Sequence, residues 1–387
     1  MENQTVQKIV ELADKAGKFL PGSDNLRAPL VSLIVTNFNY ARFIEECLES
    51  ISAQTYPNIE CIIVDDVSTD NSVDVIEKFI AADPKASDFR LLKLDQNGGQ
   101  MNAFIEGFRD ANGAFVVFVD ADDFLFANFV ETHVAAHLNP HHAAALTCSN
   151  ETIIDAENQV LCYGLESWPS AQTASSISPE RNAKGVEISG WTEPAILNGA
   201  SPETEDSLTA TFVDPKHNPT NQWIWSTTSA IMFRRGVLEA ILTDKTRDIR
   251  ICADFYLLQF AHMIGGSLLI NTSLGCYRRH GTNNFALNPT MGSDTRIGSP
   301  KAKVVYEDLF LLMQKEVLND LPKFHEILTE ARVFWILANL TPLVKLPLAL
   351  KSIGVSRFAA IAQFLGLFAV MRFKQFVLST KQKLKFA

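Results

Sequence analysis

The sequence predicts an α/β domain built on a mostly parallel sheet. Between residues 30 and 119, short apolar runs alternate with amphipathic segments, and aspartates follow directly after two of the runs. Alternating strands and helices form a sheet that has right-handed crossovers and is covered by helices on both faces. Ligands of such sheets bind beyond the carboxyl ends of the strands. The fold class therefore predicts where the functional residues lie.

The parallel strands are predicted from four apolar runs. The runs are predominantly apolar, as expected of strands that are covered on both faces of a sheet. The runs are VSLIVT (31–36), ECIIVD (60–65), RLLKL (90–94) and AFVVFV (114–119).

An amphipathic helix is predicted after each of the first three strands. Its apolar residues recur at i, i+3, i+4 and i+7, which places them on one helical face. Capping residues (STDNS) begin the second helix and a turn signal (NGG) precedes the third. The three apolar faces comprise Ile44, Cys47, Leu48 and Ile51; Val73, Ile76 and Ile80; and Met101, Phe104, Ile105 and Phe108.

Aspartates follow the second and fourth strands, so they are expected along the same edge of the sheet. Asp66 could simply cap the next helix, and that alternative stays open. Asp120 and Asp122 are two residues apart in an extended segment, so their side chains point to the same side. Paired carboxylates favour a hard divalent cation such as Mg²⁺ or Mn²⁺, which keeps coordination positions for water and substrate phosphates.

These segments together resemble the nucleotide-binding half of the family 2 glycosyltransferases, which are inverting enzymes of the GT-A fold. The similarity is close over residues 30–150 and resumes at 228–241 (TSAIMFRRGVLEAI) and 253–283. It implies a GT-A domain with a helical C-terminal extension. The implied reaction transfers a sugar from a nucleotide-diphosphate sugar, with UDP favoured, to a hydroxyl group of a glycan or lipid-linked acceptor, with Mn²⁺ or Mg²⁺ as cofactor.

The resemblance also implies roles for individual residues. Thr36 would contact the nucleoside, and Asp66 would accept a hydrogen bond from the uracil imide. Asp122 would bind the metal, and Asp120 would lie near the ribose and the same metal. Asp254 would be the general base that takes a proton from the acceptor. The other implied donor-site contacts are Asn97 and Gly99, and one or more of Arg278, Arg279 and His280 against the leaving-group charge.

Two positions depart from the family pattern. Ala253 precedes Asp254 where the family commonly has Glu, and Phe104 stands where many members have Arg. An aspartate that begins a helix is often only an N-cap, so a structural role for Asp254 stays open beside the catalytic one.

The resemblance and the composition together divide the chain. The stretch 164–222 is rich in Ser, Thr, Pro and Gly and is expected to be a lid or loop over the acceptor side. The predicted parts are an N-terminal helical extension (1–29), a glycosyltransferase domain (30–300) with a nucleotide-binding half (30–150) and an acceptor half (151–300), and a basic, apolar helical region (301–387).

Charge is distributed unevenly along the chain. The formal net charge is −10, yet residues 331–387 contain Lys, Arg and many apolar residues but no Asp or Glu. Such a segment suits an anionic membrane surface, or it packs as helices against the domain. The cysteines form no CxxC pair, and no run approaches the ~20 apolar residues of a membrane span. We expect a cytoplasmic protein, peripheral on the inner face of the membrane, that does not bind nucleic acid.

Other enzyme classes fit the sequence less well. A dinucleotide oxidoreductase needs GxGxxG after the first strand, where this chain has TNFNYA. A sugar nucleotidyltransferase would also use paired aspartates and Mg²⁺, but its usual Gly-rich basic loop is missing. A catalytically inactive, membrane-associated scaffold is the remaining alternative, against which the presence of Asp66, Asp122 and Asp254 argues.

Overall fold

The computed structural model describes residues 28–138, 143–163, 185–188, 208–216, 223–250, 252–280 and 300–340. The chain divides into two compact units, Met1–Ser299 and Pro300–Ala387. Nearly all of the predicted extension 1–29, most of the insertion 164–222 and residues 341–387 lie outside the described residues.

The first unit contains the predicted parallel strands. They are β1 (Val31–Asn37), β2 (Ile59–Asp65), β3 (Phe89–Lys93) and β4 (Phe115–Asp120). Their spatial order is β3-β2-β1-β4, and all three pairings are parallel. The predicted runs are confirmed, with boundaries that agree to within about one residue.

The predicted helices are confirmed as α1 (Ile44–Ser52), α2 (Ser72–Ala82) and α3 (Gln100–Asp110). The apolar faces of α1 and α3 are buried in the core, which explains the spacing of their apolar residues. Gly107 of α3 lies against the sheet, because a Cβ atom there would be 2.3 Å from Ile34 Cγ2. Close packing of α3 brings its first turn to the carboxyl ends of the strands.

Seven further strands occur in the described residues. They are β5 (Phe124–Leu125), β6 (Leu146–Asp155), β7 (Val160–Tyr163), β8 (Gly185–Ile188), β9 (Leu208–Val213), β10 (Ile231–Arg234) and β11 (Ser267–Arg279). The sheet continues from β4 in the order β10-β6-β11-β9-β8, with β7 beside β6 and β5 beside β11. Strands β8 and β9 come from the stretch expected as a lid or loop, so part of that stretch extends the sheet instead.

In the described residues of the first unit, the other α-helices are α4 (Phe129–His137), α5 (Arg235–Ile241) and α6 (Ala253–Gly265). The second unit contains α7 (Pro300–Asn319), α8 (Leu321–Ile327) and α9 (Glu330–Leu340). Apolar side chains of α9 are buried, among them Val333, Ile336 and Leu340. The first residues of the acid-free stretch 331–387 therefore belong to a packed helix. Within the described part of the chain, every helix is too short or too polar to cross a membrane.

The order of the parallel strands reverses at β1. The chain runs outward from β1 to β2 and β3, then returns to place β4 on the other side of β1. A crevice forms at the carboxyl edge where strand order reverses, and ligands of open α/β sheets bind there. Thr36 and Asp120 are register partners across β1 and β4, so they mark this crevice.

Candidate active site

The crevice between β1 and β4 is bordered by predicted site residues. The Thr36 hydroxyl lies 3.4 Å from Asp120 Oδ1, and the Gln100 side-chain amide donates to the same oxygen at 2.9 Å. Gln100 is the first residue of α3 and was not predicted as a site residue. Its position directly after the NGG turn, at the carboxyl edge, was the available signal.

Asp66 lies at the end of β2 and is bound by the turn before α3. Its two carboxylate oxygens accept hydrogen bonds from the backbone amides of Gly98 and Gly99, each at 2.8 Å. The Asn97 side chain donates to the Asp66 carbonyl oxygen at 2.9 Å. Gly99 has a φ of 81°, which a glycine adopts without strain. The structure thus brings Asp66, Asn97 and Gly99 together, and their contact with a nucleotide stays a prediction.

An exposed aromatic side chain lies beside this group. Phe38 follows β1 and is 44% exposed, whereas most aromatic side chains of this sheet are buried. The backbone carbonyl oxygen of Asn37, the residue before Phe38, accepts a hydrogen bond from the Asp66 backbone amide at 2.9 Å. Phe38 was also not predicted as a site residue, although its position one residue beyond a strand that ends at the site was readable.

The aspartates at the end of β4 lie together: Asp122 and Asp123 are buried, and Asp120 is half-buried. Burial raises the pKa of Asp120 to about 7, and the charge of Asp122 adds to this shift, as does that of Asp254. Burial and the charge of Asp122 also raise the pKa of Asp123. Clustered carboxylates in a poorly solvated site favour a bound cation or a proton.

Asp123 has a structural role that the sequence did not reveal. Its carboxylate accepts a hydrogen bond from the Ser229 hydroxyl at 2.6 Å. The same hydroxyl oxygen accepts the Asp120 backbone amide at 3.0 Å. Ser229 therefore connects the turn after β4 to the 3-10 turn Thr228–Ala230 that precedes β10.

His280 contacts the predicted metal ligand. Its Nε2 atom lies 2.8 Å from Asp122 Oδ2, and both side chains are almost fully buried. The imidazole ring packs against the rings of Tyr40 and Phe43, with centroids 5.6 and 4.9 Å away. Of the three candidates in YRRHG, His280 therefore has a side chain that meets the Asp122 carboxylate.

Arg278, one of the three candidates for the leaving-group contact, is buried against the turn after β4. It is 1% exposed, and its Nε atom donates to the Asp122 carbonyl oxygen at 2.8 Å. Its Nη2 atom lies 2.6 Å from Glu46 Oε2. Arg279 is partly buried at the end of β11, and its role at the diphosphate stays a prediction.

Asp254 lies in the first turn of α6. The N-cap of this helix is Cys252, which has a left-handed φ of 62°, so Asp254 does not occupy the capping position. Its Oδ1 atom accepts the Phe255 backbone amide at 2.7 Å. Burial raises the pKa of Asp254. The charge of Asp254 also contributes to the raised pKa of Asp120, so the two carboxylates interact electrostatically, and the role of Asp254 as the base stays a prediction.

The donor atoms present fit a divalent ion that is held mainly by its substrate. In the described residues, no group of three or more His, Cys, Asp or Glu side chains could hold a metal ion. Asp122 and His280 offer one carboxylate oxygen and one imidazole nitrogen at the same place. Mn²⁺ accepts both kinds of ligand, and its other positions suit phosphate oxygens and water.

Residues 32–164 match the sequence model of the family described as Glycosyl transferase family 2. The chain carries a family 2 glycosyltransferase domain. The matched residues run from β1 to just past β7 and include Asp66, Asp120 and Asp122. The resemblance inferred from the motifs is therefore confirmed for the nucleotide-binding half.

Individual glycosyltransferases are also similar to this chain. An uncharacterized glycosyltransferase of Nostoc sp. is 28% identical over 260 residues, which are 66% of this chain and 66% of that protein. Glycosyltransferase GlyG of Streptococcus pneumoniae is 39% identical over 103 residues, 27% of this chain and 33% of that protein. The matches thus span about two thirds of the first relative's length and one third of the second's.

Among solved structures, a fragment of S. aureus TarS in complex with UDP aligns with a TM-score of 0.46 and 18% identity. The alignment covers 80% of this chain and 70% of that one.

Proposed function

We propose that this protein is a metal-dependent inverting glycosyltransferase that transfers a sugar from a UDP-sugar to a hydroxyl group of a glycan or lipid-linked saccharide. The observation that carries the proposal is the convergence of Asp120, Asp122, His280 and Asp254 at the edge where strand order reverses. This convergence lies in a chain that has a family 2 glycosyltransferase domain.

The donor nucleotide would bind across the ends of β1 and β2. A carboxylate has about four lone-pair sites, so Asp66 can accept a uracil imide N–H in addition to the two glycine amides. The exposed ring of Phe38 is available to stack on the base, while Thr36 lies near the nucleoside. Asn97 and Gly99 hold the turn that forms the wall of this part of the crevice.

Asp122 and His280 would hold the Mn²⁺ or Mg²⁺ ion, with Asp120 beside it. When bound, such an ion neutralises charge that develops on the diphosphate leaving group. Partly buried carboxylates at this point disfavour an anionic diphosphate unless a cation is also present. The proposal therefore expects nucleotide binding to depend on the metal. Arg279 remains a candidate for additional charge neutralisation.

Asp254 would act as the general base. An acceptor hydroxyl group is a poor nucleophile near neutral pH, and a carboxylate within hydrogen-bond reach can take its proton as the new bond forms. The acceptor oxygen bonds to the anomeric carbon, the bond from that carbon to the diphosphate oxygen breaks, and the proton moves to Asp254. Attack from the face opposite the diphosphate inverts the anomeric centre in a single displacement.

The acceptor class is proposed from charge. The acid-free, basic and apolar composition of residues 331–387 supports a cytoplasmic protein at an anionic membrane surface, where lipid-linked or growing saccharides are accessible. Co-sedimentation of the full chain with anionic liposomes, but not with neutral ones, is the expected result. A chain that stays in the supernatant with both would contradict the membrane proposal and leave the donor site unaffected.

Calorimetric titration of UDP tests the proposed function. UDP should bind with Mn²⁺ present and weaken at least about tenfold with a chelator or in Asp122→Ala. GDP and dTDP test the choice of base, and Asp74→Ala, which removes an exposed carboxylate on α2, serves as the matched control. A folded protein that binds none of these nucleotides would contradict the proposal and favour an inactive scaffold.

A further inference from the structure

Arg278 holds the turn after β4 with both its backbone and its side chain. Its backbone amide donates to Asp123 Oδ1 at 3.0 Å, and its Nε atom donates to the Asp122 carbonyl oxygen at 2.8 Å. These two bonds attach the end of β11 to consecutive residues of the turn. The chain that follows the Asp122 Cα atom is thereby anchored to β11.

The other end of the guanidinium group closes a ring of side chains. Nη2 contacts Glu46 Oε2 at 2.6 Å, and Nη1 donates to Asn158 Oδ1. The Asn158 side-chain amide donates to Glu46 Oε1 at 2.9 Å. We call Arg278, Glu46 and Asn158 the arginine ring; it connects β11 to α1 and to the turn between β6 and β7.

The surroundings of the arginine ring are built for a fixed guanidinium group. Its central carbon lies 4.8 Å from the ring centroid of Phe43 and 5.7 Å from that of Phe124. Asn158 has a left-handed φ of 63°, a conformation that asparagine tolerates better than most residues. The Asp155 carboxylate holds that turn by accepting the backbone amides of Glu157 and Gln159.

We propose that Arg278 is a positioning residue that holds the metal-binding turn through Glu46, and that it does not contact the diphosphate. The inference rests on the proposed role of Asp122 as the metal ligand. If the guanidinium group moved to the diphosphate, Glu46 and the Asp122 carbonyl oxygen would lose their hydrogen-bond partner. Leaving a charge and a polar group unpaired in a largely buried place costs free energy. Groups that orient a metal ligand typically change metal affinity by about 10- to 100-fold when removed.

Glu46 distinguishes the two roles of Arg278, because a diphosphate contact would not need it. If Arg278 is a positioning residue, Glu46→Gln and Arg278→Lys should each weaken Mn²⁺-dependent UDP binding by about 10- to 100-fold. The double variant should be no weaker than the weaker single variant, since both changes break the same ring. A lysine keeps the charge but cannot make the forked set of contacts.

Hydrogen–deuterium exchange supplies a readout that needs neither metal nor nucleotide. Peptides that cover residues 119–126 should exchange faster in Glu46→Gln and in Arg278→Lys than in the wild type. Peptides from α2 should exchange at the wild-type rate, which excludes global destabilisation. Because Glu46 is partly exposed and its change is isosteric, this variant decides the question even if Arg278→Lys folds poorly.

Arg42→Gln is the matched control. Arg42 precedes α1 and pairs with Glu157, so it joins the same two parts of the chain as the arginine ring. The two side chains are 62% and 66% exposed, and an exposed pair contributes little. UDP binding and exchange of residues 119–126 should match the wild type in this variant.

The outcomes separate the inference from the proposed function. Weaker binding in Arg278→Lys with unchanged binding and exchange in Glu46→Gln would overturn the positioning role and favour direct contact. UDP binding and exchange of residues 119–126 that match the wild type in both variants would also overturn the positioning role. If the wild type binds no nucleotide, the proposed function fails, and the exchange measurement still decides whether the arginine ring holds the turn.

Discussion

The aspartates after β2 and those after β4 lie at the same edge of the sheet but have different partners. Asp65 accepts the side-chain amide of Asn37 and the backbone amide of Ser68. Asp66 accepts two glycine amides. Each of these partners is an N–H group that can only donate. At the end of β4, Asp120 and Asp123 also accept hydrogen bonds, from Gln100 and Ser229. Here, however, the charges of neighbouring carboxylates act on one another, and burial together with the charge of Asp122 raises the pKa of Asp120 to about 7.

The difference assigns different tasks to carboxylates that look alike in the sequence. Those at the end of β2 are held in the loops by fixed donors, so they shape the wall of the proposed nucleotide site. Those after β4 concentrate negative charge in a place where solvent cannot screen it, and a cation relieves that repulsion. The structural argument for a metal therefore applies to the end of β4 and does not extend to the end of β2.

The largest expected effect follows from removing Asp254, the proposed base. Asp254→Asn should lower kcat by about 10²- to 10⁴-fold while UDP binding is retained, because proton transfer is lost and the donor site is not. Burial raises the pKa of Asp254, and the base must be ionised to work. We therefore expect kcat/KM of the wild type to increase with pH through a pKa above the usual aspartate range.

Asp244→Asn is the control for this experiment, since Asp244 lies in the exposed segment before α6 and its side chain is 66% exposed. It should keep the wild-type rate and pH profile. Full activity of Asp254→Asn, with the wild-type rise in kcat/KM, would show that another group accepts the proton.

The next effect tests the carboxylates after β2. Asp66→Asn places an amide NH₂ group against the Gly98 or Gly99 backbone amide, and neither partner can reverse its role. We expect the free energy of unfolding to fall by about 1–3 kcal/mol, measured by urea denaturation. Glu77→Gln, which changes an exposed carboxylate paired with Lys93, should leave it nearly unchanged. If the free energy of unfolding of Asp66→Asn equals that of the wild type, the hydrogen bonds from the glycine amides to this carboxylate do not stabilise the fold.

The parallel half of the fold could be predicted because its signals are local. The first four strands are predominantly apolar, and the apolar residues of α1 and α3 follow helical spacing and are buried. The aspartates end strands, so their shared edge follows from the parallel arrangement. The base candidate came from the family resemblance, and its position at the crevice needed the structure.

The contacts of residues 278–280 could not be predicted from local signals. Strand β11 pairs with β6 through two register shifts, between Ile270 and Ser273 and between Ser273 and Cys276. Each irregularity disturbs the alternation of faces along a strand, so spacing alone cannot say which side chains turn toward Asp122. Ser229 was missed for a related reason, since 109 residues separate it from the backbone amide that it accepts.

The smallest expected effect concerns Glu151, a buried carboxylate of β6 whose charge contributes to the raised pKa of Asp123. Unlike Asp66, Glu151 has hydroxyl partners. Its carboxylate accepts hydrogen bonds from the hydroxyl groups of Ser226 and Thr227 and from the Thr227 backbone amide. In Glu151→Gln the amide oxygen can keep the backbone bond, and the Thr227 hydroxyl can rotate to accept from the new NH₂ group. We expect the free energy of unfolding to change by less than about 1 kcal/mol at pH 5.

The pH dependence of this variant then sharpens the comparison. Burial raises the pKa of Glu151, so the folded wild type holds the proton more tightly than the unfolded chain does, and its stability falls as pH rises through the raised pKa. Glu151→Gln does not titrate at this position and should gain stability relative to the wild type between pH 5 and pH 8 in urea denaturation. Loss of stability that is equal at both pH values would instead place Glu151 with Asp66, as a carboxylate whose ionised form the fold requires.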